Sequence, residues 1–184
     1  MIEYREIMDQ DIPLIVSLFA EYLNGGESIS ESIREAWKHN ELMGYIATED
    51  GKPAGFLTMR EGISFTYPHP ALEKEIAGLV QGERIAYCDA ILILPEYRCE
   101  GVAHRLAQSS RELLRRKGFV YYLSEIWIYP DGQAPSRPIL ETMGTLIWQK
   151  KIDMFYSELD AYNMTCPICG RKCLCGAWID VMKL

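Results

Sequence analysis

The segment Ile91-Leu92-Ile93-Leu94-Pro95-Glu96-Tyr97-Arg98-Cys99-Glu100-Gly101-Val102-Ala103-His104-Arg105-Leu106 combines residue types and spacing that could hold an anion. Four consecutive apolar residues, Ile91 to Leu94, fit a strand buried on both faces. Pro95 stops it, and apolar spacing from Val102 through Leu106, Leu113 and Leu114 predicts a helix. The first N–H groups of a helix have no partner within it, and the aligned peptide dipoles leave partial positive charge there. Gly101 lets a ligand approach the backbone and Ala103 keeps the next turn small. Arg98 and Arg105 supply charge-assisted contacts to phosphate oxygens. The plainer alternative is an ordinary strand, turn and helix with a glycine at the turn.

Arg98-Cys99-Glu100-Gly101-Val102-Ala103 resembles the Arg/Gln-x-x-Gly-x-Gly/Ala signature of the GNAT acetyltransferase superfamily, and Leu94-Pro95-Glu96-Tyr97 resembles its usual lead-in. The order of elements is similar along the whole chain: a strand and helix, a hairpin, the signature, another strand and helix, and a closing pair of strands. The resemblance implies an α/β (α+β) fold, with a mixed, mostly antiparallel central sheet of about seven strands flanked by about four helices. It implies one acyl-CoA N-acyltransferase domain over residues 1–184, with acetyl-CoA as co-substrate. On that reading the pyrophosphate rests on the backbone amides of Cys99, Glu100, Gly101, Val102, Ala103 and His104, beside Arg98 and Arg105. The N–H groups of Leu92, Ile93 and Leu94 align the pantetheine arm and polarise the thioester carbonyl. The implied reaction is direct attack of a neutral small amine or peptide amine, which needs a route for the ammonium proton and a hydrogen bond to the oxyanion.

One stretch departs from that pattern. Gln133, Ser136, Leu140 and Gly144 stand where many relatives have Asn, Ala, Tyr and Gly. The register assigns Ser136 to the cofactor side and puts Leu140 where the relatives' phenol protonates the departing thiolate. A leucine donates no proton. Either another group serves, the thiolate leaves without a dedicated acid, or the chain binds acyl-CoA as a non-catalytic sensor.

Two carboxylates lie in apolar strand-like runs. Asp89, in Ala86-Tyr87-Cys88-Asp89-Ala90-Ile91, is a candidate base because burial raises a carboxylate pKa. Its alternative is a salt-bridged or hydrogen-bonded structural residue. Glu125, in Leu123-Ser124-Glu125-Ile126-Trp127, is the second candidate, and Tyr129 is a candidate replacement acid. His69, in Tyr67-Pro68-His69-Pro70, reads as an exposed loop histidine rather than a base.

Cys166, Cys169, Cys173 and Cys175 crowd into Cys166-Pro167-Ile168-Cys169-Gly170-Arg171-Lys172-Cys173-Leu174-Cys175-Gly176. Cys-Pro-x-Cys-Gly resembles a zinc-ribbon knuckle, where the turn aims two thiolates at one metal. Cys173-x-Cys175 would place its side chains on opposite faces if extended, so closure on one ion needs a turn or a partner chain. Zinc, an iron–sulfur cluster and plain thiols all remain open, as does a metal- or redox-responsive role for this loop. Four thiolates leave no open coordination position, which makes a zinc here structural.

The elements that must position these groups are legible in outline. Met1 to Ile7 reads as a strand, Asp11 and Pro13 start a helix, and Ser28 with Glu31 forms a capping box for a second. Asp50-Gly51 marks a hairpin between Gly44–Thr48 and Ala54–Met59. Leu72, Ile76 and Leu79 suggest a short helix, and Lys117-Gly118 ends the signature helix before a strand from Phe119 to Tyr129. Residues 145 to 159 and 177 to 184 read as closing strands, so the cysteine-rich loop, 164–176, joins them. With 184 residues and 48% hydrophobic content, the composition is globular. The net charge of −7 argues against a nucleic-acid surface and favours cationic amines. The absence of a signal-like start or a long apolar run predicts a cytoplasmic protein, monomer or homodimer, without membrane contact.

Overall fold

Apolar, strand-forming runs, the central ones buried on both faces, join as seven strands of one sheet in the computed structural model, which describes residues 1–23, 27–162, 164–170 and 172–184. The strands are β1 (Ile2–Glu6), β2 (Leu42–Glu49), β3 (Lys52–Glu61), β4 (Ile85–Ile93), β5 (Tyr121–Ile128), β6 (Thr145–Ile152) and β7 (Gly176–Lys183). Their order is β1-β2-β3-β4-β5-β7-β6. Every neighbouring pair is antiparallel except β4 with β5. Five helices are described: α1 (Ile12–Tyr22), α2 (Glu27–Lys38), α3 (Pro70–Val80), α4 (Val102–Arg116) and the single turn α5 (Arg137–Leu140).

Both faces of the sheet are covered. On one face α4 packs Val102, Leu106 and Leu114 with Leu57, Met59 and Tyr122. On the other, α1 and α2 bring Ile15, Phe19 and Ile33 against Ile46, Phe56 and Leu92. Beside them α3 and the chain after β6 pack Ile76, Phe155 and Tyr156 with Leu123 and Ile179. Each fully buried Leu, Ile or Phe of these layers contributes about 1.5–3 kcal/mol. The β2–β3 hairpin turns where the sequence marks it, with Asp50 at φ 50° and Gly51 at φ 76°, the left-handed pair such a turn demands.

Three details differ from the sequence reading. Helix α2 already includes Glu27, so Ser28 lies within its first turn and cannot be its N-cap. Strand β6 ends at Ile152 rather than continuing to 159, because Met154 at φ 53° breaks the extended run and Ser157 N–H bonds back to its carbonyl. Strand β4 is not buried on both faces throughout, since Tyr87 to Ile91 are half-buried and only Leu92 and Leu94 close over again. The cysteine loop does join β6 to β7; its Arg171 lies outside the described residues.

Candidate active site

The half-burial of β4 has a topological cause. Strands β4 and β5 pair only at Ile85↔Tyr121, Ala86↔Tyr122 and Tyr87↔Leu123. Beyond Tyr87 the two strands share no further pair, while β4 stays bonded to β3 and β5 to β7. The sheet therefore opens along its middle into a gap edged by backbone groups. Register also shifts between Thr58 and Met59, which pair with Ala90 and Cys88, so Asp89 is the extra residue of a β-bulge. A bulge increases local twist, which helps to turn β4 away from β5.

The edge of β4 facing the gap can be read from one hydrogen bond. Leu94 N–H donates to Ala54 O at 3.0 Å, which makes Leu94 and Ala54 a hydrogen-bonded pair. In an antiparallel ladder such pairs alternate, so Leu92 also faces β3 and Ile93 directs its N–H and C=O toward the gap. Of the three amides read from the sequence, those of Leu92 and Leu94 are thus spent on β3, and only Ile93's points where a ligand would lie. Arg98 Nε donates to Ile93 O at 3.1 Å, fixing the guanidinium at the mouth of the gap.

The gap leads into the turn before α4. Cys99 has φ 64° and Gly101 φ 81°, both left-handed, and α4 begins at Val102. Glycine suits the left-handed backbone at 101, where a Cβ would meet no other protein atom within 4 Å. The first bond of the helix is Arg105 N–H to Gly101 O at 3.1 Å, and no side chain caps the turn. The amides of Val102, Ala103 and His104 consequently lack intrahelical acceptors and stand at the positive end of a 15-residue helix. Arg98, Cys99, Glu100, His104 and Arg105 are exposed around them. The side chain of Arg105 lies over the Tyr4 ring, 5.9 Å from its centroid, on the β1 side of the helix. Ser136 is the residue before α5, where its carbonyl accepts from Ile139 and Leu140.

Two residues past the last β4–β5 pair, the register brings Asp89 and Glu125 to corresponding positions on either side of the gap. Their surroundings differ. Asp89 faces Arg60, whose Nε lies 3.0 Å from Oδ1, and Thr58 Oγ1 stands 3.4 Å from Oδ2. Arg60 Nη1 in turn donates to Ser32 Oγ of α2 at 3.0 Å. Burial raises the Asp89 pKa and the guanidinium opposes that shift. Among the described residues Glu125 has no cation in contact: Thr66 N–H and Oγ1 donate to it at 2.9 and 2.6 Å, and Tyr156 Oη donates at 2.6 Å. Burial raises its pKa too, against those hydrogen bonds. A carboxylate with a raised pKa and no counter-ion is suited to take a proton near neutral pH.

The other candidates fall in different places. Tyr129 lies one residue past β5, half-buried, with its N–H on Gln133 O at 2.8 Å. Leu140 is 2% exposed, a core residue of α5. His69 corrects the sequence reading: it is half-buried, its ring stacked 4.3 Å from Phe155 and 4.4 Å from Tyr67, and burial lowers its pKa. The four cysteines of the loop converge, with all four Sγ atoms within 4.8 Å of one another. Arg60, Thr66 and Tyr156 escape the sequence reading, since no local pattern ties them to Asp89 or Glu125.

Comparison with known proteins agrees with this geometry. The family model described as Acetyltransferase (GNAT) family matches residues 12–145. No curated protein matches the sequence. Among solved structures, Arabidopsis thaliana NAA60 in complex with acetyl-CoA aligns with TM-score 0.71 at 14% identity, covering 100% of this chain and 99% of that one. Arylalkylamine N-acetyltransferase 2 from Aedes aegypti aligns with TM-score 0.66 at 14% identity, over 99% and 98%. The ribosomal-protein-S18-alanine N-acetyltransferase from Escherichia coli aligns with TM-score 0.62 at 14% identity, over 100% and 94%. These likenesses are likenesses of fold, and the family model carries the assignment. The family model spans most of the chain and accords with the split β4–β5 seam and its left-handed turn: the chain belongs to the GNAT acetyltransferase family.

Proposed function

We propose that this chain, residues 1–184 working as one acyl-CoA N-acyltransferase unit with its cysteine-rich loop at 164–176, transfers the acetyl group of acetyl-CoA to the amine of a small molecule or peptide. The observation that carries the reading is the open β4–β5 seam running into the Cys99–Gly101 turn. It provides a strand edge for an amide-bearing arm and unpartnered helix amides for its pyrophosphate. A complex of a fold relative with acetyl-CoA supports the same cofactor here.

In this reading Ile93 N–H polarises the thioester carbonyl and stabilises the oxyanion. The neutral amine attacks from the face carrying Asp89 and Glu125. The C–N bond forms, the C–S bond breaks, and the ammonium proton passes to Glu125, whose carboxylate is held by the neutral donors Thr66 and Tyr156. Asp89, paired with Arg60, shapes and charges the acceptor side. Tyr129, close to the end of β5, is the candidate donor to the departing thiolate. Zinc enters as a structural ion rather than a reactant. No described helix is long and apolar enough to cross a membrane. We place the activity in the cytoplasm, with the chain a monomer or homodimer and with no nucleic-acid or membrane partner.

A second reading, a non-catalytic acyl-CoA sensor, is favoured by one observation: Leu140, where the family's phenol is expected, is buried in the core. Calorimetric titration with acetyl-CoA, followed by a thiol-release assay against small amines and peptide N-termini, separates the two. Binding with turnover supports the transferase. Binding without turnover across the panel supports the sensor, and no binding overturns both.

A further inference from the structure

The loop between β6 and β7 carries a built site that lies outside the reacting groups of acetyl transfer. Cys166, Cys173 and Cys175 are buried and Cys169 is half-buried. Their sulfurs are not bonded in pairs: Cys169 Sγ lies 3.4 Å and Cys166 Sγ 3.9 Å from Cys175 Sγ, and all four lie within 4.8 Å of one another. Zinc–thiolate bonds of about 2.3 Å in a tetrahedron set sulfurs about 3.8 Å apart. Two of the separations, 3.4 and 3.9 Å, bracket that spacing, and no pair exceeds it by more than about 1 Å. A multi-iron cluster is larger and would hold them further apart.

The backbone is shaped for the same purpose. Cys166 N–H donates to Gly170 O at 3.2 Å and Gly170 N–H to Cys166 O at 3.0 Å, closing a one-turn knuckle with Gly170 at φ 76°. Inside it, the N–H groups of Ile168 and Cys169 point at Cys166 Sγ, at 3.4 and 3.3 Å. Those bonds offset the charge of a thiolate. The second pair solves the facing problem posed by Cys-x-Cys without a partner chain. The segment is not a strand, and Cys175 N–H lies 3.4 Å from Cys173 Sγ, so the first side chain folds back along the backbone toward the second.

This loop also supports the candidate base. Tyr156 N–H donates to Cys175 O at 3.3 Å, its ring packs 3.8 Å from Trp127, and its hydroxyl donates to Glu125 at 2.6 Å. Two hydrogen bonds, both made by Tyr156, therefore join Cys175 to the carboxylate, and the contact with Trp127 holds the Tyr156 ring against β5. Between β6 and the cysteines the described chain forms only turns and one 3-10 turn, Leu159–Tyr162. Regular hydrogen bonding does little to hold it.

We propose that Cys166, Cys169, Cys173 and Cys175 bind one zinc ion, and that this ion braces Tyr156 as a positioning residue for Glu125. The site itself is independent of the transferase reading, and only its effect on acceptor binding rests on that reading.

The test uses the full chain purified after growth with zinc. Elemental analysis is expected to find about one zinc per chain, lost in Cys166→Ser and in Cys175→Ser through affinity at least about 10-fold weaker. Removing zinc is expected to lower the melting temperature and change the near-ultraviolet circular dichroism of the Trp127–Tyr156 pair, a change that Trp127→Phe abolishes. In the zinc-free chain the acceptor KM is expected to rise about 10-fold or more, while acetyl-CoA affinity moves less than about 3-fold. Tyr156→Phe is expected to keep its zinc and to reproduce the rise in KM. Absence of metal after zinc loading, iron in its place, or paired disulfides would overturn the site. Zinc removal that leaves melting, the aromatic spectrum and acceptor KM unchanged would overturn the brace. If no form of the protein turns over any amine, metal content, melting and the aromatic spectrum still decide the proposal, and the failure belongs to the transferase reading.

Discussion

Tyr156 donates its hydroxyl hydrogen to Oε1 of Glu125 at 2.6 Å, across 31 residues of sequence. Thr66 supplies the other two hydrogen bonds, so the carboxylate is held by three neutral donors. Asp89, at the corresponding position across the β4–β5 seam, is held by a guanidinium instead. Two carboxylates at one seam thereby have different partners, and the proposed mechanism assigns them different tasks: Glu125 to exchange a proton and Asp89 to hold Arg60 in place.

Substitution should separate those tasks. Glu125→Gln is expected to lower kcat/KM by about 100-fold or more, as loss of a general base does, with acetyl-CoA affinity nearly unchanged. Asp89→Asn leaves Arg60 without its counter-charge in a largely buried place and should cost about 3 kcal/mol of stability. Denaturation and steady-state kinetics of both variants check the division; a larger rate loss in Asp89→Asn, with stability intact, would reverse the roles.

The pH dependence has a definite sign. Burial raises the Glu125 pKa in the folded chain above the value of about 4.3 of an unfolded glutamate. The native state therefore binds this proton more tightly, and the group's contribution to stability grows as pH falls through the folded value. Wild type should gain stability relative to Glu125→Gln as pH falls from neutral toward the unfolded glutamate value of about 4.3, as followed by thermal melts. The acid limb of kcat/KM should lie above the ordinary glutamate range, because the ionised form is the base.

Gly101 offers a test of the turn. Its φ of 81° disfavours side chains, yet no atom would collide with a Cβ. Gly101→Ala is expected to cost about 1 kcal/mol of stability through backbone strain. Asparagine tolerates the left-handed region and should melt closer to wild type than alanine. Gly101→Asp places a negative charge among the amides and should weaken acetyl-CoA binding by about 10-fold or more through loss of about 1.4 kcal/mol. Calorimetry on the three variants distinguishes strain from charge.

Leu140 should resist a return to the family pattern. It is 2% exposed, so Leu140→Tyr forces a larger, polar side chain into the core. The expected result is destabilisation of about 1–3 kcal/mol with no gain in turnover. A variant that is stable and faster would mean that the phenol reaches the thiolate from this position.

What was legible in the sequence was local. Asp50-Gly51 announced its hairpin through left-handed propensity, and the run from Ile91 to Ala103 announced strand, turn and helix through apolar period and Pro95. The cysteine spacing announced a knuckle. What escaped depends on distant partners. Nothing near His69 in sequence shows that Phe155 stacks on it, and nothing near Glu125 shows that Thr66 and Tyr156 donate to it. Strand β6 was read too long because apolar residues after Ile152 suit a strand and a packed turn equally well. Met154's left-handed backbone, which ends the strand, has no sequence signal of its own.

In the proposed mode of binding, acetyl-CoA lies along β4 with its pyrophosphate on the turn before α4. Amide hydrogen exchange with and without acetyl-CoA tests it most directly. Slowed exchange at Ile93 and at residues 99–104, with little change in the β1–β2 pair, is the result this account predicts. Unchanged exchange there under saturating acetyl-CoA, or protection confined to another face, would contradict it.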